Sequence, residues 1–133
     1  MDENRLKQIP LFAPLRKEEL RRIAQVADEV DAEEGKELLR EGRFAYEFMV
    51  IRDGRAEVTR NGQHVADLGP GDFIGEIAAL EQGQRNATVV ARSPVCLIVM
   101  TARDLRRLAG SIPQLGETLR TTAQQRQAPS ESG

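Results

Sequence analysis

Short strand-like runs separated by turn signals fill the middle of this chain and limit its fold to a few architectures. The runs at 48–51 and 95–100 are apolar, and residues 56–59 alternate apolar with polar side chains, as half-buried strands do. The dipeptides Asp53-Gly54 and Asn61-Gly62 tolerate the positive φ angles of tight turns, so each predicts a hairpin. Strands at intervals of about eight to twelve residues predict an antiparallel roll or sandwich, and a jelly-roll-like β-roll is the expected form.

Apolar residues at helical spacing flank this region on both sides. Residues 1–30 predict two short helices, with the break at IPLFAP (9–14) between them. After the last strand, Thr101 and Asp104 predict a capped helix that ends at Gly110, and Ser111 is expected to cap a second helix. That second helix places Leu115, Leu119, Thr122 and Arg126 on one face.

The length of 133 residues suits one domain with its own core. The expected fold is therefore mainly β with flanking helices. The domain over 1–127 comprises a helical lead-in (1–30), a β-roll (31–100) and C-terminal helices (101–127). Residues 128–133 are small and polar, which predicts a disordered tail.

The segment 71–91, GDFIGEIAALEQGQRNATVVA, carries the chemistry of a binding site. Gly75 precedes a short helical stretch with Glu76 in its first turn, and free N–H groups at such a start can bind an anion. Arg85, nine residues after Glu76, supplies a planar cation that can pair with a phosphate through two parallel bonds. An acid, a cation and free N–H groups together suit a ligand that carries hydroxyls and a phosphate.

This segment resembles the phosphate-binding cassette of cyclic nucleotide-binding domains, as in the catabolite activator protein, protein kinase A regulatory subunits and cyclic nucleotide-gated channels. The matching residues are IGEIAAL (74–80) and QRNATV (84–89). The sequence departs from the family pattern at Ile74, Ala79, Gln84 and Asn86, and none of these departures removes the acid or the arginine. The lead-in IPLFAPLRKEELRRIA is similar to the helical lead-in of many members.

The resemblance implies a cAMP-sensing module with a cassette over 71–91 that includes a short helix. It assigns the ribose 2′-hydroxyl to Glu76 and the cyclic phosphate to Arg85. It implies that backbone N–H groups complete the cradle, and that Arg126 stacks on the base from the C-terminal helix. Because Asn86 carries both donors and an acceptor, cGMP remains open as the ligand. The residues expected to bind ligand are Gly75, Glu76, Ile77, Ala78, Arg85, Asn86, Ala87 and Arg126.

Other classes of function fit the sequence less well. The net charge of −2 provides no overall basic field for nucleic acid. With His64 as the one histidine, neither a metal site nor a catalytic triad is expected, so the chain is not predicted to be an enzyme. Cys96 lies in an apolar run and is expected to be a buried, inert thiol.

The N-terminus lacks a signal peptide, and the apolar runs are too short for a membrane span, so a cytoplasmic location is expected. The alternative function is a scaffold domain of the same fold that binds no nucleotide. A homodimer and an effector protein or domain remain open as partners.

Overall fold

The structure is a computed structural model that describes residues 1–42, 46–75 and 87–132, with side chains through Thr122. These described residues form four helices and eight strands. They are α1 (Glu3–Lys7), α2 (Lys17–Val26), β1 (Asp28–Ala32), β2 (Glu37–Leu39), β3 (Glu47–Asp53), β4 (Ala56–Arg60), β5 (Gln63–Leu68), β6 (Phe73–Ile74), β7 (Thr88–Ala91), β8 (Val95–Thr101), α3 (Ala102–Ser111) and α4 (Pro113–Ser132).

The strands form two antiparallel four-stranded sheets, which confirms the predicted β-roll with flanking helices. The first sheet has the order β1-β8-β3-β6, and the second has the order β2-β7-β4-β5. Consecutive strands often lie in different sheets, so the chain crosses repeatedly between the two layers, as in a roll.

The first sheet separates two apolar cores, because strand side chains alternate between its faces. Met49 and Ile51 of β3 face the second sheet and join the core between the sheets. Phe48 and Val50 face the other way, into the core formed with the helices. The β-roll is thereby packed on one side against its own second sheet and on the other against α1–α4.

The two turn dipeptides differ in outcome. Asn61-Gly62 joins β4 to β5 with Arg60 paired to Gln63, and both turn residues have positive φ (53° and 79°), so the predicted hairpin is confirmed. Asp53-Gly54 is not a hairpin, because β3 belongs to the first sheet and β4 to the second. Gly54 instead packs against Pro94 and Val95 where the chain changes sheets.

The boundaries of the flanking helices are close to those predicted, with three differences. The predicted lead-in extended to Val30, but α2 ends at Val26 and Val30 lies in β1, where it pairs with Leu97. Ser111 is the last residue of α3 and does not cap α4. Its hydroxyl accepts a 2.5 Å hydrogen bond from Arg22, which links α2 to the α3–α4 junction.

The third difference concerns the C-terminus, where α4 continues to Ser132 instead of leaving a disordered tail from residue 128. The residues before Pro129 are mainly glutamine, arginine and alanine, which favour helix. The end of the domain at residue 127 remains a prediction. Among the described residues, no helix combines the length and the apolar composition needed to cross a membrane.

Candidate functional site

The two ends of the predicted cassette lie in different sheets. β6 is an edge strand of the first sheet, and β7 lies between β2 and β4 in the second. Gly75 follows β6 with a φ of 88°, a backbone angle that favours glycine. Ala87 precedes β7 and is buried, with 8% of its surface exposed. The segment of the cassette between β6 and β7 (75–87) therefore begins and ends at residues that the roll holds.

The structure describes only part of the predicted binding set. Gly75 and Ala87 are described, and they stand on either side of residues 76–86. The short cassette helix and the side chains expected to contact ligand lie outside the described residues; these are Glu76, Ile77, Ala78, Arg85 and Asn86. Their roles therefore remain predictions.

The entry to the cassette is anchored in both cores. Phe73 packs on the helix side, where its ring centroid lies 5.7 Å from that of Phe48 with the rings tilted by 52°. The next residue, Ile74, points into the core between the sheets and is 2% exposed. Neighbouring residues held in opposite cores leave Gly75 little freedom to shift, and such rigidity suits a binding site.

Hydrogen bonds within the turn before β6 (69–72) and to β3 hold that turn in place. The backbone N–H of Gly69 donates to Asp72 Oδ2 over 2.8 Å, and the N–H of Gly71 donates to the carbonyl of Ile51 over 2.8 Å. A Cβ added at Gly71 would lie 3.4 Å from the ring of Pro10. This turn thus connects the helical lead-in to the entry of the cassette.

The C-terminal helices are fixed to the roll at their start. Thr101 Oγ1 accepts a 3.0 Å hydrogen bond from the N–H of Asp104, which confirms the predicted cap of α3. Leu115 and Leu119 of α4 are buried in the core on the helix side. Arg126 lies in α4 seven residues after Leu119, a spacing of about two turns that places both on one face of the helix. The side chain of Arg126 lies outside the described part, so its role also remains a prediction.

His64 belongs to a charged cluster on the surface of the second sheet. Its Nδ1 lies 2.8 Å from Glu57 Oε2, and its Nε2 lies 3.7 Å from Asp67 Oδ2. Arg92 donates to the other oxygen of Glu57 over 2.5 Å. The hydrogen bond to Glu57 raises the pKa of His64, and the same bond, aided by Arg92, lowers the pKa of Glu57. Within the described ranges, no group of His, Cys, Asp and Glu side chains could hold a metal ion.

This cluster predicts a pH dependence of stability. A histidine whose pKa is higher in the folded state contributes stability that is fully present below its unfolded value, near 6.5, and is lost as the pH rises through the folded pKa. The free energy of unfolding of the wild type should therefore decline, relative to that of His64→Gln, as the pH increases above about 6.5. Denaturant unfolding of both proteins between pH 5.5 and pH 9 measures this difference. Parallel curves for the two proteins would contradict it.

Cys96 differs from its predicted environment. It is only partly buried, and its sulfur lies 4.0 Å from Arg52 Nη1, the same nitrogen that lies 3.4 Å from Glu29 Oε2. Desolvation raises the pKa of the thiol. Because the thiolate is the reactive form, the expectation of an inert thiol is consistent with this environment, but the expectation of a buried one is wrong.

Comparison with known proteins matches most of the chain to one family. The family model of the cyclic nucleotide-binding domain matches residues 29–111. A cAMP-dependent protein kinase regulatory subunit from Schizosaccharomyces pombe is 34% identical over 110 residues, which cover 82% of this chain and 27% of the relative. A cyclic nucleotide-gated potassium channel from Rhizobium etli is 33% identical over 118 residues, which cover 89% of this chain and 33% of the channel.

The fold is also that of a solved regulatory domain. The domain of Toxoplasma gondii protein kinase A, co-crystallised with cAMP, is similar with a TM-score of 0.82 at 22% identity, over 92% of this chain and 48% of that one. The present chain spans about a third or less of the length of the two curated relatives.

Proposed function

This chain belongs to the cyclic nucleotide-binding domain family, and from that premise we propose that it is a sensor that binds cAMP in the segment between β6 and β7. The observation that carries the proposal is the presence of both Glu76 and Arg85 in a segment whose two ends, Gly75 and Ala87, are held by the roll. A domain that served only as a scaffold would have no physical need for this acid and this arginine at the family's positions.

The proposed ligand contacts follow from the chemistry of a cyclic nucleotide. The guanidinium of Arg85 can donate two parallel bonds to the cyclic phosphate, and the carboxylate of Glu76 can accept one from the ribose 2′-hydroxyl. Backbone N–H groups at Gly75–Ala78 and Asn86–Ala87 would supply further donors to the phosphate. The similar Toxoplasma domain was co-crystallised with cAMP, which supports cAMP over cGMP as the first ligand to test.

The proposal describes regulation without catalysis. Ligand binding, proposed to occur in the cytoplasm, would change the conformation of the domain. An effector protein or domain, or a second copy of the chain, would respond to that change. The C-terminal helix α4 is the element proposed to respond, because its Leu115 and Leu119 pack in the core on the helix side and Arg126 follows Leu119 two turns later in the same helix. A ligand contact made in only one helix position would shift the helix toward that position.

Calorimetric titration of the full chain with cAMP and 2′-deoxy-cAMP tests the binding proposal and the role of Glu76 together. We expect cAMP to bind and the deoxy analogue to bind at least about tenfold more weakly, because it leaves the carboxylate without its hydroxyl partner. In Glu76→Gln the difference between the two ligands should shrink. Failure of the wild type to bind either cAMP or cGMP would favour the scaffold function, and equal affinity for cAMP and its deoxy analogue would remove Glu76 from the ribose role.

Removal of the chain after Arg120 tests the proposed role of α4. The truncated protein keeps the buried Leu115 and Leu119, so the roll should stay folded. Loss of a stacking guanidinium at Arg126 should weaken cAMP binding by about 0.5 to 2 kcal/mol. The single variant Arg126→Ala should reproduce most of that loss. Full affinity in both proteins would show that α4 does not cover the ligand.

A further inference from the structure

Two hydrogen bonds connect the start of β7 to parts of the roll that are distant in sequence. The backbone N–H of Glu41, in the turn after β2, donates to Thr88 Oγ1 over 3.2 Å. The carboxylate of the same Glu41 accepts a 3.0 Å hydrogen bond from the backbone N–H of Asn61, in the β4–β5 hairpin. Glu41 thus joins the β2 turn and the hairpin to the residue with which β7 begins.

The contact with Glu41 lies at the point where backbone pairing between β2 and β7 ends. On the β2 side of β7, the described pairing reaches Val89, which is matched to Leu39, and does not include Thr88. On the β4 side, Thr88 is paired with Thr59. The hydroxyl of Thr88 therefore provides a side-chain anchor on the side where the backbone ladder has ended.

Thr88 stands at the exit of the proposed cassette. It follows the buried Ala87 and comes three residues after Arg85. Three residues of chain span at most about 10 Å, so the position of Thr88 limits where Arg85 can lie. Recognition of a phosphate by a guanidinium fork requires placement to within about 0.5 Å.

We propose that Glu41 and Thr88 are positioning residues for the phosphate contact, and that their hydrogen bond holds the exit of the cassette so that Arg85 meets the ligand correctly. This inference rests on the proposed function. Asn61 supports this arrangement, because its N–H donates to the Glu41 carboxylate. Its φ of 53° belongs to the tight β4–β5 turn.

The substitution Thr88→Val tests the proposal in the full chain. Valine keeps the shape and the β-branching of threonine but removes the acceptor for the Glu41 N–H. We expect calorimetry to show an affinity for cAMP that is lower by about threefold to tenfold. Thr88→Ser keeps the hydroxyl and should restore most of that affinity.

Thr59→Val is the matched control, because Thr59 lies directly opposite Thr88 on β4 and undergoes the same chemical change. It should leave the affinity for cAMP unchanged.

A double-mutant cycle separates positioning from general destabilisation. In an Arg85→Lys background the phosphate fork is already lost, so Thr88→Val should reduce affinity by less than about twofold. An equal loss in both backgrounds, or an equal loss in Thr59→Val, would overturn the proposal. If the wild type binds cAMP and Thr88→Val binds it equally well, this inference alone fails; if the wild type binds no cyclic nucleotide, the proposed function fails with it.

Discussion

The variant Arg85→Ala is expected to bind cAMP at least about tenfold more weakly than the wild type. A charge-assisted hydrogen bond contributes about 1.5 to 3 kcal/mol, and alanine would leave the phosphate of the ligand without its main cation. Calorimetric titration measures the loss, and denaturant unfolding of the unliganded variant shows whether the fold is retained. Affinity equal to that of the wild type would remove Arg85 from the phosphate contact.

Two further variants make this result specific. Arg85→Lys keeps the positive charge but not the planar fork, so its affinity should fall between those of the wild type and the alanine variant. Arg92→Ala removes the arginine that follows β7, which is half exposed and bound to Glu57. Because that pair lies on the surface of the second sheet, the affinity for cAMP should stay unchanged. A comparable loss in Arg92→Ala would point to the overall charge of the domain instead of a specific contact.

Local patterns in the sequence predicted those elements whose structure is decided by neighbouring residues. The Thr101 cap, the Asn61-Gly62 hairpin and the buried apolar run of β3 all depend on residues within a few positions of one another. The Asp53-Gly54 turn has the same local signal as Asn61-Gly62, yet it joins strands of different sheets. Only the partner of each strand distinguishes the two turns, and a local pattern does not contain that partner.

The residues of the candidate site also fall into two groups, those that a local sequence pattern predicts and those that it does not. Gly75, Glu76 and Arg85 could be selected from a single continuous segment. The bond from Glu41 to Thr88 spans 47 residues, and neither residue belongs to a pattern that predicts the contact. Cys96 was misplaced for a related reason: its apolar neighbours predicted burial, whereas Arg52 and Glu29 on other strands make its surroundings polar and partly open. Contacts between strands that are distant in the sequence can be identified only once the sheets are assembled.

Substitution of Gly54 by alanine is expected to destabilise the fold strongly. Gly54 has a φ of 97°, and an added Cβ would meet the carbonyl oxygen of Pro94 and lie 2.7 Å from Val95 Cγ1. The unfavourable backbone angle costs about 1–2 kcal/mol, and forcing extra volume into a packed site costs about 1–3 kcal/mol more. Since the neighbours include backbone, the clash cannot be relieved by a rotamer change alone. Denaturant unfolding should show a free energy of unfolding lower by about 2–5 kcal/mol.

Gly35→Ala is the control that separates the backbone angle from the packing. Gly35 has a φ of 91°, close to that of Gly54, but an added Cβ would meet no described atom within 4 Å. Its substitution should therefore lower the free energy of unfolding only by the cost of the positive φ, about 1–2 kcal/mol. The difference between the two variants measures how tightly the β3–β4 crossover packs on the start of β8. Equal losses would mean that the strand pairs at this crossover separate readily to admit a methyl group, contrary to the close approach of Gly54 to Pro94.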